Sequence, residues 1–216
     1  MTNQRLVLLV SHTARQEALS STLECAEALL KAGITPVMEQ HELAETLAYS
    51  KSVNDSSATS ILELGKDVQE SDLELAVVLG GDGTILKAAE LVRASQTPLL
   101  GINLGHVGFL AESEKNEISS TMARVVAKDY LVKERLTLDV SVKLEGKEVY
   151  RTWALNEATV EKSARERMLE VVVEVDGRPL SSFGCDGIVM SSPTGSTAYA
   201  FSGGGPVVWP SVDALL

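Results

Sequence analysis

Cysteine, basic residues and long apolar runs are scarce in this sequence, and each scarcity excludes a class of protein. The two cysteines, Cys25 and Cys185, lie far apart and lack the spacing of a metal site. Acidic residues outnumber Lys and Arg by 30 to 19, and the net charge of −11 argues against a nucleic-acid-binding protein. The N-terminal run LVLLV is too short for a signal peptide, and no stretch could span a membrane. We therefore expect a soluble protein of a reducing compartment, the cytoplasm.

Hydrophobic residues are plentiful enough for a core, and their spacing predicts an α/β lobe in the first half. They make up 44% of the 216 residues, which excludes wholesale disorder and allows one large domain or two small ones. RLVLLV, ITPVM and TPLLGIN have the composition of strands, and residues 14–32 have helical spacing that ends at Gly33. A polar stretch from about Ser50 to Asp72 is expected to be a loop with one short helix. Strands that alternate with helices indicate a parallel sheet.

The hydrophobic period changes to two after a predicted helix at residues 114–128. Apolar and polar residues alternate from Leu136 to Leu144, and further short apolar segments follow, with the turns EGKE and DGRP between them. Regular short strands with turn signals indicate an antiparallel β layer. We therefore predict three parts: an α/β lobe at 1–112, a connecting helix and linker at 113–132, and a β lobe at 133–216.

The segment LAVVLGGDGTILKAAEL has the pattern of a buried strand, a glycine turn and a helix. This order aims free backbone N–H groups at an anion, and glycine permits a close approach to the backbone. Thr84 can cap the helix that follows. A hairpin at the Asp-Gly dipeptide is the alternative, but ILKAAELVRA has the pattern of a helix, not of a second strand. The predicted phosphate loop consists of Gly80, Gly81, Gly83 and Thr84.

Asp82 stands at the centre of this loop, where a negative charge is unexpected beside phosphate. It costs free energy there unless a metal ion lies between the two groups or the carboxylate takes up a proton. Phosphoryl transfer from a nucleotide to a hydroxyl can use both. The alternative is that Asp82 only stabilises the turn through its own backbone. The motif alone leaves both interpretations open.

The segment LNEATVEKSARERM in the second lobe combines an amide with a carboxylate. Asn156 and Glu157, expected at the end of a strand, can together bracket a vicinal diol, as carboxylates do for ribose in dinucleotide sites. A solvated polar pair is the alternative. Lys162, Arg165 and Arg167 follow, and they form either a loop that faces phosphate or a solvated surface run.

The segment DGIVMSSPTGSTAYAFSGGGP, residues 186–206, supplies hydroxyls, an aromatic ring and bare backbone together. The hydroxyls belong to Thr194, Ser196, Thr197 and Ser202, and the ring to Tyr199. Such a mixture suits a flat, polar ligand held by stacking and hydrogen bonds. A Gly/Ser linker is the alternative, but a linker would not contain AYAF.

Three of these stretches together resemble the bacterial NAD kinases, which phosphorylate NAD on the 2′-hydroxyl of its adenosine ribose. The matching motifs are GGDGT at 80–84, NE at 156–157 and TGSTAYAFSGGGP at 194–206, and GINLGHVGFLAE at 101–112 also fits. GGDGT alone is shared with lipid kinases, so the other two motifs make the resemblance specific. It extends from about residue 5 to the last residue. It implies a Rossmann-like parallel α/β lobe followed by an antiparallel β-sandwich lobe.

The resemblance also implies roles for individual residues. Asp82 would accept the proton of the hydroxyl that is phosphorylated, Asn156 and Glu157 would hold the NAD ribose, and Lys87 and Arg167 would meet NAD phosphates. ATP or polyphosphate would be the donor, a divalent metal ion such as Mg²⁺ the cofactor, and a homo-oligomer the full-length assembly, with no nucleic acid or membrane as a partner. The implied NAD-binding residues are Asp82, Gly83, Lys87, Asn156, Glu157, Arg167, Asp186, Thr194, Thr197, Ala198, Tyr199, Ala200, Phe201 and Ser202.

Two departures from the family pattern bear on the prediction. Gly203 stands where the family often has Ala, and the sequence stops at Leu216, where family members continue. We therefore expect a C-terminally truncated chain with an incomplete β lobe. A lipid kinase that shares GGDGT and a non-catalytic NAD-binding fragment remain as alternatives.

Overall fold

A computed structural model describes residues 4–104, 110, 113–114, 117–163 and 168–216 of the chain. The chain divides into two compact units, Met1–Val132 and Lys133–Leu216. The first contains the α/β elements and the second contains antiparallel strands, so the structure confirms the predicted fold class. None of the helices in the described part of the chain combines the length and apolar character that a membrane crossing requires.

A six-stranded sheet, parallel throughout, forms the centre of the first unit. Its strands are β1 (Leu6–Ser11), β2 (Thr35–Met38), β3 (Leu62–Glu63), β4 (Leu75–Leu79), β5 (Leu99–Asn103) and β6 (Ser113–Glu114), in the order β3-β2-β1-β4-β5-β6. Strands β1 and β4 are central and buried almost throughout, which explains their continuous apolar sequences. The strand order reverses between β1 and β4, and a crevice at the carboxyl ends of the strands is expected at such a switch point.

Helices cover both faces of this sheet. They are α1 (Gln16–Lys31), α2 (Gln40–Ser52), α3 (Asp82–Val92) and α4 (Ile118–Ala127). Val7 and Leu9 of β1 belong to one apolar cluster, which includes residues of α1 and α4. Leu8 and Val10 belong to a second cluster, which includes residues of α3. The alternation of side chains along β1 thus joins both layers to one strand.

The helix predicted at 14–32 is confirmed, and Gly33 follows it in the left-handed region, with φ of +71°. The prediction of a loop with one short helix from Ser50 to Asp72 is wrong. The end of α2, two 3₁₀ turns at Ser57–Ser60 and Glu70–Asp72, and strand β3 occupy this stretch. Helix α2 was not predicted because several of its buried residues are polar, so its inward face shows little apolar periodicity.

The second unit contains six strands that hydrogen-bond in antiparallel pairs. They are β7 (Leu138–Leu144), β8 (Lys147–Ala154), β9 (Glu157–Glu161), β10 (Leu169–Val175), β11 (Arg178–Cys185) and β12 (Gly187–Ser191). The pairs are β7 with β8, β10 with β11, and β9 with β12. Both predicted turns are present: Glu145–Gly146 and Asp176–Gly177 have positive φ at both residues, as a two-residue hairpin turn requires.

One local prediction in the second unit needs correction. Glu157 opens β9, and Asn156 lies between β8 and β9, so the pair stands at the start of a strand and not at its end. In the described part of residues 133–216, hydrogen bonds join the six strands into three two-stranded antiparallel sheets. A 3₁₀ turn at Thr194–Thr197 and a short helix, α5 (Tyr199–Ser202), follow β12.

Candidate active site

A cavity of about 540 Å³ lies in the first unit, at the carboxyl ends of β1, β4 and β5. Its wall comes from the end of β1 and the loop after it, from α2, from the glycine turn with the start of α3, and from the end of β5. The lining residues that concern the site are Ser11, His12, Thr13, Arg15, His41, Glu42, Gly80, Gly81, Gly83, Thr84, Lys87 and Asn103. The cavity therefore occupies the switch point of the sheet, where α/β proteins bind ligands.

The glycine turn connects β4 directly to the start of α3. The N–H of Gly80 donates to the carbonyl of Ile102 at 3.1 Å and so extends the pairing of β4 with β5. Helix α3 begins at Asp82 with Gly81 as its N-cap, and the N–H groups of Thr84 and Ile85 donate to the carbonyl of Gly81. Thr84 was predicted to cap the helix; instead it lies inside the first turn.

The glycines of this turn differ in whether the surrounding protein requires them. A Cβ on Gly80 would collide with the side chain of Thr84, whose own Cβ would lie 2.9 Å away. A Cβ on Gly81 or Gly83 would meet no protein atom within 4 Å, and neither glycine has a left-handed φ. The fold itself therefore does not require glycine at these two positions. A group that approaches the backbone from the cavity would require it, since the first N–H groups of a helix lack intrahelical acceptors.

Asp82 lies on a different side of the helix start from the cavity. Gly81, Gly83 and Thr84 line the cavity, whereas Asp82 is not among its lining residues. Its Oδ1 accepts the N–H of Leu110 at 3.2 Å. Successive residues of a helix are about 100° apart around its axis, which separates residue 82 from the face of residues 83, 84 and 87. One helix start can thus present N–H groups on one side and a carboxylate on another.

Lys87 lines the cavity and is bound by two glutamates of the α2 region. Its Nζ lies 2.7 Å from Glu39 Oε2 and 2.6 Å from Glu42 Oε1. Partial burial lowers the pKa of Lys87, but the hydrogen bonds to both glutamates outweigh it, and the net pKa is raised. Glu42 is only 2% exposed, and its Oε2 accepts the N–H of Ser11 at 2.9 Å. The phosphate contact of Lys87 stays a prediction.

In the second unit, the NE pair and the TGST segment form one local structure. Glu157 opposes Ser191 in the β9–β12 ladder, and the N–H of Ser192 donates to the carbonyl of Asn156 at 2.8 Å. A Cβ on Gly195 would lie 2.7 Å from Asn156 Cα and still closer to its carbonyl group. Because backbone cannot yield as a side chain can, Gly195 is required for this approach.

Three buried oxygens in this structure have no hydrogen-bond partner within the described protein. They are Asn156 Oδ1, Glu157 Oε2 and Thr194 Oγ1. Burial raises the pKa of Glu157, and a hydrogen bond from the backbone N–H of Tyr199 opposes that rise. A buried polar atom without a partner typically costs about 1 to 3 kcal/mol. The three on residues of the two predicted motifs are candidate acceptors for a ligand that donates hydrogen bonds.

The remaining predicted residues are distributed unevenly. Asp186 forms an ion pair with Lys162 at 2.6 Å, at the far end of the β9–β12 ladder and roughly 13 Å along the strand from Glu157. Tyr199 and Phe201 are exposed, whereas Ala200 is buried. Thr197, Ala198 and Ser202 belong to the 3₁₀ turn and α5 or connect them. Arg167, like Arg165, lies outside the described residues.

The sequence reasoning missed two parts of the cavity wall. One is the loop after β1, with His12 and Arg15, and the other is Glu42 on α2. The position of SHTAR directly after the first buried strand could have indicated the loop, since the carboxyl ends of parallel strands share one edge. Glu42 carries no such signal, because its partners Ser11 and Lys87 are distant in sequence.

Comparison with known proteins gives matches along the chain. The ATP-NAD kinase N-terminal domain matches residues 7–130, and the ATP-NAD kinase C-terminal domain matches residues 155–216. An NAD kinase of Leifsonia xyli is 56% identical over 216 residues, which is the whole of this chain and 69% of that protein.

Two solved structures are similar as well. The crystal structure of yeast NADH kinase complexed with NADH has a TM-score of 0.83 and 25% identity, over 98% of this chain and 64% of that one. An NAD kinase from Archaeoglobus fulgidus in complex with ATP has a TM-score of 0.62 and 25% identity, over 98% and 70%. The chain thus spans about two thirds of the length of these relatives. The sequence motifs, the matched domains and the similar folds agree, and the chain belongs to the NAD kinase family.

Proposed function

We propose that this chain carries the residues of an NAD kinase that transfers a phosphoryl group from ATP to the 2′-hydroxyl of the adenosine ribose of NAD. Family membership supports the reaction, and the named complexes of similar proteins with NADH and ATP support nucleotide substrates. The observation that carries the residue assignment is the set of buried, unpartnered oxygens on Asn156, Glu157 and Thr194.

The second unit supplies acceptors for a ligand that carries hydroxyl groups. When Glu157 is ionised, its Oε2 accepts hydrogen bonds and cannot donate them, and Asn156 Oδ1 is a carbonyl oxygen, which is also an acceptor. Both therefore suit the O–H groups of a ribose. Thr194 Oγ1 can donate or accept. Tyr199, which is 46% exposed, offers a ring for stacking against a base of the dinucleotide. The contact of Asp186 with another part of NAD belongs to the same proposal.

The first unit supplies a site for the phosphates of the donor. The cavity presents the N-terminus of α3, and Gly81 and Gly83 leave space for phosphate oxygens at the backbone. Thr84, His12 and Arg15 add polar and basic groups to its wall. In an acidic protein, such a local arrangement is what permits an anion to bind.

Asp82 is the proposed general base. Its carboxylate accepts the proton of the ribose 2′-hydroxyl as that oxygen forms a bond to the γ-phosphorus of ATP. The bond from the γ-phosphorus to the bridging oxygen breaks, and ADP leaves with the electron pair. The hydrogen bond from Leu110 to Oδ1 orients the carboxylate. NADP and ADP are the products, and the proton passes from Asp82 to solvent.

A divalent cation fits this proposal as part of the donor complex. No group of three or more His, Cys, Asp or Glu residues in the described part of the chain could hold a metal ion. Mg²⁺ commonly binds through substrate phosphates with few protein ligands. When bound to the donor, the cation neutralises charge on the β- and γ-phosphates.

The test compares two carboxylates of strand β9. Glu157→Gln keeps the size of the side chain but turns one acceptor into a donor, so the KM for NAD should rise about tenfold or more. Glu161→Gln makes the same chemical change at the exposed far end of the strand and should leave the KM for NAD unchanged. NADP formation is measured with ATP as the donor. Equal KM values for NAD in both variants would mean that Glu157 does not contact NAD.

A substrate panel separates the remaining alternatives. NAD, NADH and diacylglycerol are offered with ATP and then with polyphosphate, and the labelled product is identified. Phosphorylated diacylglycerol would favour a lipid kinase, and NAD binding in calorimetry without turnover would favour a binding fragment. We also propose a homo-oligomer, which light scattering would measure, and a cytoplasmic location, which a fluorescent fusion would check.

A further inference from the structure

An ion-pair network borders the proposed donor cavity and has no part in the reaction described so far. Lys87 is held between Glu39 and Glu42 at 2.7 and 2.6 Å. Lys87 and Glu42 both line the cavity, together with Ser11, whose N–H donates to the second oxygen of Glu42. The network therefore joins β1, α2 and α3 at the cavity wall.

The network carries a net charge of −1, because two carboxylates share one ammonium group. Glu42 cannot turn away to relieve this charge. It is 2% exposed, and both of its oxygens are engaged, one by the backbone of β1 and one by Lys87. Glu39 is more accessible, with 32% of its side chain exposed. Of the basic side chains at the wall, Lys87 is thus already neutralised, whereas Arg15 is not a member of the network.

This charge acts on any phosphate chain that enters the cavity. A bare polyphosphate carries several negative charges, and a fixed carboxylate in a poorly solvated wall repels each of them. A chain bound to a divalent cation carries less charge and is repelled less. Mg²⁺ commonly binds through substrate phosphates with few protein ligands, so we take the cation as part of the complex that the phosphate chain forms.

We infer that Glu42, assisted by Glu39, is a specificity-determining residue that makes the cavity select a phosphate chain neutralised by a divalent cation over the bare chain. The inference rests on the proposed function, since it concerns the donor that the cavity accepts. Lys87 holds one oxygen of Glu42 in place, and the N–H of Ser11 fixes the direction of the carboxylate.

The test measures binding of inorganic tripolyphosphate by calorimetry, once with Mg²⁺ and once with a chelator in place of Mg²⁺. Glu42→Gln keeps an oxygen acceptor for Ser11 and removes one negative charge. The Kd of bare tripolyphosphate should fall about 5- to 10-fold, whereas that of the Mg²⁺ complex, which keeps roughly half to three fifths of the negative charge, should fall only about two- to fourfold. The preference for the Mg²⁺ complex should shrink accordingly.

Two further variants control this result. Glu39→Gln removes the more accessible carboxylate and should change the preference in the same direction by a smaller factor, about two- to fivefold. If Glu42→Gln fails to fold, which thermal unfolding would show, the Glu39→Gln variant alone tests the inference. Glu27→Gln removes an exposed carboxylate of α1, outside the lining of the cavity, and should leave both Kd values unchanged.

Several outcomes would overturn the inference. Equal changes of both Kd values, in either direction, would mean that Glu42 affects phosphate binding without selecting the charge state. Unchanged values in both glutamate variants would mean that the network does not act on the cavity. Failure of tripolyphosphate to bind the wild-type chain in either buffer would also overturn it. Phosphorylation of NAD by ATP, measured separately, would in each case leave the proposed function standing.

Discussion

Replacement of Gly81 by alanine tests whether the glycine turn is shaped for a ligand or for the fold. Gly81 has extended backbone angles, φ −94° and ψ −170°, that alanine also adopts, and an added Cβ meets no protein atom within 4 Å. Alanine is a slightly poorer N-cap than glycine, so we expect a loss of stability below about 1 kcal/mol, which lowers Tm by less than roughly 4 °C.

The effect on the donor should be much larger. The new methyl group would stand where the backbone faces the cavity and would keep a phosphate oxygen from the N–H groups at the start of α3. The loss of one hydrogen bond to a charged group costs about 1.5 to 3 kcal/mol, which corresponds to a roughly 10- to 150-fold higher KM for ATP. The assay is NADP formation at saturating NAD with ATP varied, beside a thermal unfolding curve.

Gly80→Ala provides the matched comparison one residue earlier. Its Cβ would collide with the side chain of Thr84, so overpacking should cost about 1 to 3 kcal/mol and lower Tm by roughly 2 to 12 °C. The two adjacent substitutions should therefore separate stability from donor affinity. A Gly81→Ala variant with the wild-type KM for ATP would refute the reasoning, because no ligand would then occupy the space that the glycine leaves.

The other predictions concern the base, the ring and the pH dependence of stability. Asp82→Asn should lower kcat by about 10²- to 10⁴-fold with little change in NAD affinity, and equal turnover would leave Asp82 as a turn residue. Tyr199→Ala should weaken NAD binding by about 0.5 to 1.5 kcal/mol in calorimetry plus the lost buried area, and an unchanged Kd would remove the ring from the site. The hydrogen bond from Arg5 lowers the pKa of Glu74 from 4.5 to about 2, so this pair stabilises the fold above pH 4.5 and its contribution is lost as the pH falls towards 2. Glu74→Gln should therefore reduce the difference in unfolding free energy between pH 7 and pH 3, measured in urea, by roughly 1 to 3 kcal/mol, and an unreduced difference would contradict the assignment.

Local patterns predicted the central part of the fold well. Strands β1 and β4 are buried on both faces, so their continuous apolar sequences had one simple explanation. Helix α2 was not predicted, because the polar residues Glu42, Thr46 and Ser50 are buried on its inward side. Glu42 hydrogen-bonds to Ser11 and Lys87, which are distant in sequence, and the hydrophobic periodicity of the segment cannot show such contacts. Buried polar side chains, of which Glu42 is held by tertiary hydrogen bonds, thus stand where a helix usually has an apolar stripe.

Candidate site residues could be predicted where all the residues of a motif lie in one short segment of the sequence. The glycine turn, the NE pair and the TGST segment could each be found from their residues, and the structure shows that the last two are joined through Asn156 and Gly195. The reasons for individual glycines could not be found in this way. Gly80 makes room for Thr84, Gly195 for the backbone of Asn156, and Gly81 for no part of the described protein. All three positions are simply glycine in the sequence, so the sequence alone cannot distinguish these structural reasons.

Buried polar side chains of this chain include partnered and unpartnered groups, and the two kinds have different energetic consequences. Both oxygens of Glu42 are partnered, which offsets part of the cost of burying its charge at the cavity wall. The oxygens of Asn156, Glu157 and Thr194 lack partners within the described protein and together cost on the order of 3 to 9 kcal/mol. That sum is comparable with the net stability of a whole domain, about 5 to 15 kcal/mol. Neighbouring serines such as Ser192 are well paired. The unpartnered oxygens therefore reduce the stability of the fold at the positions where hydrogen bonds from the proposed ribose hydroxyls would restore it.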